Sequence, residues 1–356
     1  MRPKTSLPME GWTAGYILRL SAFLAHFLSA LFIGFITAKC GNSFIVDTFA
    51  EGRAGYPMRI DGACQPPCFF GMPQAYLAPQ KGLEWNIFAL LAAFEWISAS
   101  FSLFQLRPSE DSPWYVAVSA LWNLAGALLL MPYTTQVSAL QVGITWIALF
   151  LATALQAAPL VCGFTPGRVV MHYAEYCTSA SLLFVAVLVL FVPSPPSWAP
   201  LVGFTGVLVC NLCGIGAHLC LLEPKEPGNP PGKDEIYDGF ELDWQAARSR
   251  FGLFLAHSWL GLLLGMLIII YLARNWLGDA IVPWWVRLIL YNLLVTYSLF
   301  GIWATVCYAV GSEWWVSEGL GGGLTVLSAA AKLPVVYSVF FGLIAEPTGR
   351  SLCSVF

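Results

Sequence analysis

The stretch GGLTVLSAAAKLPVVYSVFFGLI, residues 322–344, carries a single charge, Lys332, in twenty-three positions. A continuous apolar run of this length crosses the roughly 30 Å hydrocarbon core of a bilayer as a helix. It lacks the alternation of polar and apolar residues that a membrane-barrel strand shows. Comparable runs lie at 14–38, 84–105, 113–131, 137–160, 169–192, 198–222, 250–273 and 284–309; with the last, taken over 322–346, they make nine candidate spans. The expected fold class is all-α, a polytopic transmembrane helical bundle forming one membrane domain over 1–356.

Composition agrees. Of 356 residues, 58% are hydrophobic and 10% charged, with a mean hydropathy of +0.71, whereas about a quarter of the residues of a soluble domain are charged. The lipid bilayer is therefore the expected solvent. A net charge of -3 and a pI near 5.8 leave no basic surface to track a phosphate backbone, so nucleic acid is not an expected partner. Arg2 and Lys4 precede the first run, but no small-residue cleavage site follows it, so 14–38 is read as a retained helix.

SPPSWAP (194–200) and LEPKEPGNPPGKDEIYDGFELDW (222–244) read as loops, because proline removes a backbone donor and lipid offers no substitute. GSEWWVSEGLGGG (311–323) reads as a loop into the last helix, its glycines letting that helix start. Placing the N-terminus in the cytoplasm puts nine lysines and arginines inside against seven outside, the direction the positive-inside rule favours. Residues 39–83 then form a long extracellular loop and 223–249 a polar cytoplasmic one. Cys40, Cys64 and Cys68, three of ten cysteines, fall at or in the first of these loops. Two of the three are expected to form a disulfide in an oxidising compartment, the pairing being open. Cys210 and Cys213 form a lone C-x-x-C and are read as small packing residues.

Three charges sit well inside apolar runs: Glu95, Glu175 and Lys332. A charge at the bilayer centre costs about 2.5–3.5 kcal/mol even on the most lenient insertion scale, so such residues face the bundle interior and have a role. Lys332 is too far from either helix end to snorkel and needs a partner. A desolvated amine is also a nucleophile able to condense with an aldehyde. The competing reading is a lysine that only ties helices together. Glu175 shares a helical face with His172 (i-3), Thr178 (i+3) and Ser179 (i+4), a polar stripe suited to a carboxylate beside a buried cation. Its competing reading is an interhelical packing cluster. His26 and Glu95 are each alone on an apolar helix; facing inward together they form a polar cavity able to exchange a proton.

Several stretches carry a resemblance to one family. HYAEYCTSASLL (172–183) is similar to the third helix of the heliorhodopsins, retinal-binding membrane proteins inverted relative to other microbial rhodopsins, and TVLSAAAKLPVVYSVFFGLI (325–344) resembles their seventh. RLSAFLAHF (19–27) resembles the first helix with its internal histidine, and SFIVDTFAEG (43–52) the start of the long first loop. The resemblance implies all-trans retinal bound as a protonated Schiff base to Lys332, with Glu175 as counterion, Ser328 one turn below the linkage, and His26 in a polar cavity. Asn211 and Trp259 match polar and aromatic positions of the retinal site. ALLAAFEWISA (89–99) departs from the family by placing Glu95 or Trp96 where a histidine is common.

Residues 107–162 then form a two-helix insertion between the family's second and third helices, so the fold implied is a rhodopsin-like seven-helix core plus about two additional helices. An alternative alignment takes 137–160 as the second helix. The function implied is light sensing with a slow signalling photocycle. Light-driven ion conduction through Glu95 is one alternative, and a non-photoactive transporter or receptor with a structural Lys332–Glu175 pair is another. Expected partners are the bilayer, retinal, a downstream signalling protein and, as an open alternative, a second copy of the chain in a homodimer. No Ser/His/Asp arrangement, metal-ligand cluster or phosphate-binding loop points to an enzyme.

Overall fold

The computed structural model describes residues 14–40, 45–47, 58–59, 84–106, 113–134, 139–162, 168–191, 198–220, 222–224, 235–237, 240–242, 252, 254–267, 270, 284–311 and 314–345. Among these the apolar runs fold as nine helices: α1 Ala14–Cys40, α2 Ile87–Gln105, α3 Pro113–Thr134, α4 Ala139–Cys162, α5 Arg168–Phe191, α6 Ala199–Leu219, α7 Phe254–Leu267, α8 Trp284–Val310 and α9 Leu320–Ala345. Seven carry apolar stretches of membrane-spanning length; in α3 and α7 the described apolar part is shorter, Ala117–Leu129 and Phe254–Leu267. The chain is a multi-pass integral membrane protein. A helix closes every backbone hydrogen bond within itself, which is why these runs are helical in lipid.

Two small antiparallel sheets lie outside the helices. In one, Ile45–Asp47 pairs with Met58–Arg59 and Glu84–Asn86; in the other, Phe240–Leu242 pairs with Leu222–Pro224 and Glu235–Tyr237. Cys64 and Cys68 lie outside the described residues, so the expected disulfide does too. The other parts of 39–83 and 223–249 also lie outside them.

The bundle is built around α2 and α5, whose apolar stretches are 89% and 94% buried, whereas α1, α6 and α8 bury about a third or less of theirs. Neighbours in sequence pack together from α1 to α6 and again as α8 with α9, while α2 on α5, α5 on α9 and α1 on α9 close the bundle. Phe32 meets Phe340 edge-on across the α1–α9 seam, and Ser29 bonds Tyr337 at 3.2 Å. The peripheral helices turn Leu121, Leu128, Phe150 and Phe341 outward, as a lipid-facing surface requires.

Lipid supplies no hydrophobic drive for helices to associate, so contacts between them rest on close packing and hydrogen bonds. The seam of α2 with α3 and α4 shows both. The indoles of Trp96 and Trp122 stack with centroids 4.8 Å apart, and each donates to the other's carbonyl, at 2.7 and 3.2 Å. Gln156 accepts from Ser100 and Asn123 and donates to Ser100 at 2.8 Å.

The region expected to be a loop before the last helix differs from that reading. Trp315–Gly319 form a π-helical turn, and Gly321, Gly322 and Gly323 are already inside α9. Gly323 serves packing: a Cβ there would stand 1.9 Å from Trp303 Nε1, and that indole donates to the Gly319 carbonyl.

A Cβ on Gly126 would stand 2.5 Å from the Trp96 ring. Gly126→Leu is therefore expected to lower stability by about 1–3 kcal/mol, the usual cost of overpacking, measured as a lower melting temperature of the purified protein in detergent. An unchanged melting temperature would mean that α3 is not seated on Trp96.

Candidate functional site

Lys332 is 2% exposed, ten residues and more from either end of α9. An ammonium has three N–H donors and no acceptor, and three acceptors meet it. Nζ donates to Ser98 Oγ of α2 at 2.8 Å, to Ser179 Oγ of α5 at 2.8 Å, and to Glu175 Oε1 of α5 in a close ion pair. The Tyr176 ring lies beneath it, 5.2 Å from Nζ to the centroid, on the negative face that favours a cation. The spacing of Glu175 and Ser179, one helical turn apart, puts carboxylate and hydroxyl on the same side of the amine. Thr178 does not join them; its hydroxyl donates to the Glu175 backbone carbonyl at 2.9 Å.

The second carboxylate oxygen looks toward His172, with Nδ1 3.8 Å from Oε2. His172 Nε2 is 3.0 Å from Thr325 Oγ1, whose own hydrogen goes to the Gly321 carbonyl. Thr325 therefore accepts, which places a proton on Nε2. Nδ1 is left to accept from the Gln105 amide at 3.4 Å, or to donate to Glu175 when the ring carries a second proton.

On the other side of Lys332, His26 Nδ1 of α1 and Glu95 Oε2 of α2 meet at 2.6 Å, both buried. Glu95, Ser98, Ser102 and Gln105 are spaced i, i+3, i+7 and i+10, so one face of α2 runs from the His26–Glu95 pair past Lys332 to Gln105 and His172. All four of these α2 residues are buried.

Lys332 also lines a cavity between α5, α6, α7, α8 and α9, whose empty volume, its open part included, is about 940 Å³. Its walls are largely aromatic and aliphatic, with Tyr173, Tyr176, Trp259, Met266, Tyr297 and Phe300 among them. Trp259 is set by its indole N–H, which donates to Thr305 at 3.0 Å, and by Gly301, where a Cβ would stand 2.5 Å from the indole ring. Ser328 and Asn211 line the same cavity; the Asn211 amide donates to Val207 of its own helix at 2.8 Å. Cys210 reaches the Ser258 carbonyl at 3.1 Å, a packing contact between α6 and α7.

The structure thus brings Glu175, Ser179 and Lys332 into direct contact, joins His26 to Glu95, and puts Ser328, Asn211 and Trp259 on one cavity wall. Cys40 lies at the end of α1, away from these groups in the chain. Sequence reasoning missed Ser98, Gln105, Thr325 and the cavity's Tyr297 and Phe300. The heptad-like spacing of polar residues in FEWISASFSLFQ (94–105) was the available signal for the first two. No model of a known protein family matches this chain, and neither does any curated protein sequence.

Replacing one member of a buried ion pair leaves the other charge uncompensated, at a cost of about 3–5 kcal/mol. Glu175→Gln is expected to lower the melting temperature sharply, and Lys332→Met in the same chain to recover most of the loss. Equal melting temperatures for wild type and Glu175→Gln would show that the pair is not an ion pair.

Proposed function

We propose that this chain is a light-sensing retinal protein of the heliorhodopsin type, with Lys332 as the attachment point and Glu175 as counterion. The observation that carries the reading is one amine placed where an aromatic-walled cavity meets a buried carboxylate. The residues present fit the ligand: a long apolar polyene suits the walls, and an aldehyde suits the amine at the edge. Bound through its aldehyde carbon to the Lys332 nitrogen with loss of water, all-trans retinal supplies visible-light absorption and photoisomerisation.

Attachment leaves one N–H on that nitrogen where the free ammonium has three. Glu175, the charged acceptor, takes it, because charge-assisted hydrogen bonds are about twice as strong as neutral ones. Ser98 and Ser179 are then free to donate to the carboxylate and hold it ionised. Ser328, four residues before Lys332, faces the same cavity one helical turn away. Trp259 and Tyr176 restrict the space in which the chain can move.

A division of labour supports the heliorhodopsin-like core. Among the described residues the cavity walls come from α5 to α9 and the lysine's partners from α2 and α5, with none from α3 or α4. On this reading α3 and α4 are the two-helix addition, the N-terminus is cytoplasmic, and the output is a signal passed to another protein. Expression with all-trans retinal is expected to give a visible absorption band that Lys332→Ala abolishes. A colourless wild-type protein, or a band that survives the substitution, would overturn the reading.

The polar row of α2 favours a second reading, light-driven proton conduction, since titratable groups stand on both sides of Lys332. Illumination of a voltage-clamped cell expressing the protein separates the two. A photocurrent lost on Glu95→Gln supports conduction, and no photocurrent removes it.

A further inference from the structure

Two residues after Lys332, α9 contains a proline, Pro334. Proline has no N–H, so the carbonyl four residues earlier loses its helical donor, and the ring presses against that same carbonyl. That carbonyl belongs to Ala330, which with Ala331 forms the backbone turn immediately before Lys332. The turn that carries the buried amine is therefore the weakest point of its own helix.

A side chain from the neighbouring helix repairs it. Asn292 of α8 donates its Nδ2 to the carbonyls of Ala330 at 3.2 Å and Ala331 at 3.3 Å. The amide cannot be turned round, because its own oxygen would then face two carbonyl oxygens. In lipid an unsatisfied carbonyl has no water to turn to, which makes a replacement donor necessary. Thr296, one turn on, donates its hydroxyl to the backbone carbonyl of Asn292 at 2.7 Å within α8. Further along the same helix, α8 contributes Tyr297, Phe300 and Gly301 to the cavity wall.

We propose that Asn292 is a positioning residue for Lys332: its amide replaces the hydrogen bond that Pro334 removes and ties the lysine's turn to the helix that walls the cavity. The lysine's rise along α9 is then set by α8 as well as by its own helix. A displacement at Lys332 reaches α8 through this contact without needing the intervening loop. The spectroscopic part of this proposal rests on the retinal reading; the clamp itself does not.

The test is a double-mutant cycle in the full chain with Asn292→Ala, Pro334→Ala and both together. Pro334→Ala restores an N–H to the Ala330 carbonyl, so the clamp becomes redundant. Asn292→Ala alone is expected to lower the melting temperature and, in retinal-loaded protein, to shift the visible band. In the Pro334→Ala background the same substitution is expected to leave both nearly unchanged. Additive effects on both readouts would overturn the proposal, as would an unshifted band in coloured Asn292→Ala protein. Should Asn292→Ala fail to accumulate, recovery of folded protein in the double variant supports the clamp and continued failure refutes it. If wild type stays colourless with retinal, the retinal reading fails, while the melting temperatures still decide on the clamp.

Discussion

An ammonium held inside the hydrocarbon layer is the constraint that the rest of this structure answers. Its burial is tolerable only if every donor is matched, and matching three donors takes three side chains. They come from two helices besides its own: Ser98 on α2, Glu175 and Ser179 on α5. One buried charge therefore fixes α2, α5 and α9 against each other in depth and rotation. This accounts for α2 and α5 being the two most buried spans: the helices that solvate the lysine must stand where lipid does not reach them. The cavity follows from the same requirement, since the remaining side of the lysine opens between α5 and α9 onto the ring formed with α6, α7 and α8.

The positions of the nine helices were readable because lipid tolerates only long apolar runs as spans, and the runs are interrupted by proline, glycine and charge. Glu95, Glu175 and Lys332 were readable for the converse reason, as charges in the wrong solvent. Pairing His26 with Glu95 needed only that both face inward, and they do. Thr325 was not readable as a site residue, and Ser98 only through the polar spacing of its helix, because a serine or threonine in a membrane helix can satisfy itself by bonding its own backbone and then carries no cost that marks it. Their roles depend on helix rotation and relative depth, which periodicity within one helix does not give. Gln105 and His172 meet for the same reason. The 311–323 segment was misread because glycines that release a loop in water serve here to let Trp303 lie against α9. The sequence pattern is identical in both cases; only the neighbour decides.

The polar row along α2 is asymmetric in its chemistry. Toward His26 it ends in a carboxylate and an imidazole in direct contact, a pair that can share a proton within itself. Toward His172 it ends in an imidazole held by Thr325 and Gln105, with Glu175 standing beyond hydrogen-bond reach at 3.8 Å. The two sides are therefore not interchangeable.

α2 is also two-faced in a way that bears on output. Glu95, Ser98 and Ser102 point toward the lysine's side, while Trp96 and Ser100, one helical turn apart, point toward α3 and α4 and hold them by hydrogen bonds. Among the described residues the α3–α4 pair touches neither the cavity nor the lysine, yet it is fastened to α2, whose Ser98 meets the lysine from the opposite face. Close-packed elements move as bodies rather than deforming locally. The Trp96–Trp122 stack and the Gln156 bonds are the contacts that join the lysine-facing side of α2 to α3 and α4. The pair is thus joined to the surroundings of the lysine through α2, whose Ser98 meets the amine, and through the packing of α4 on α5.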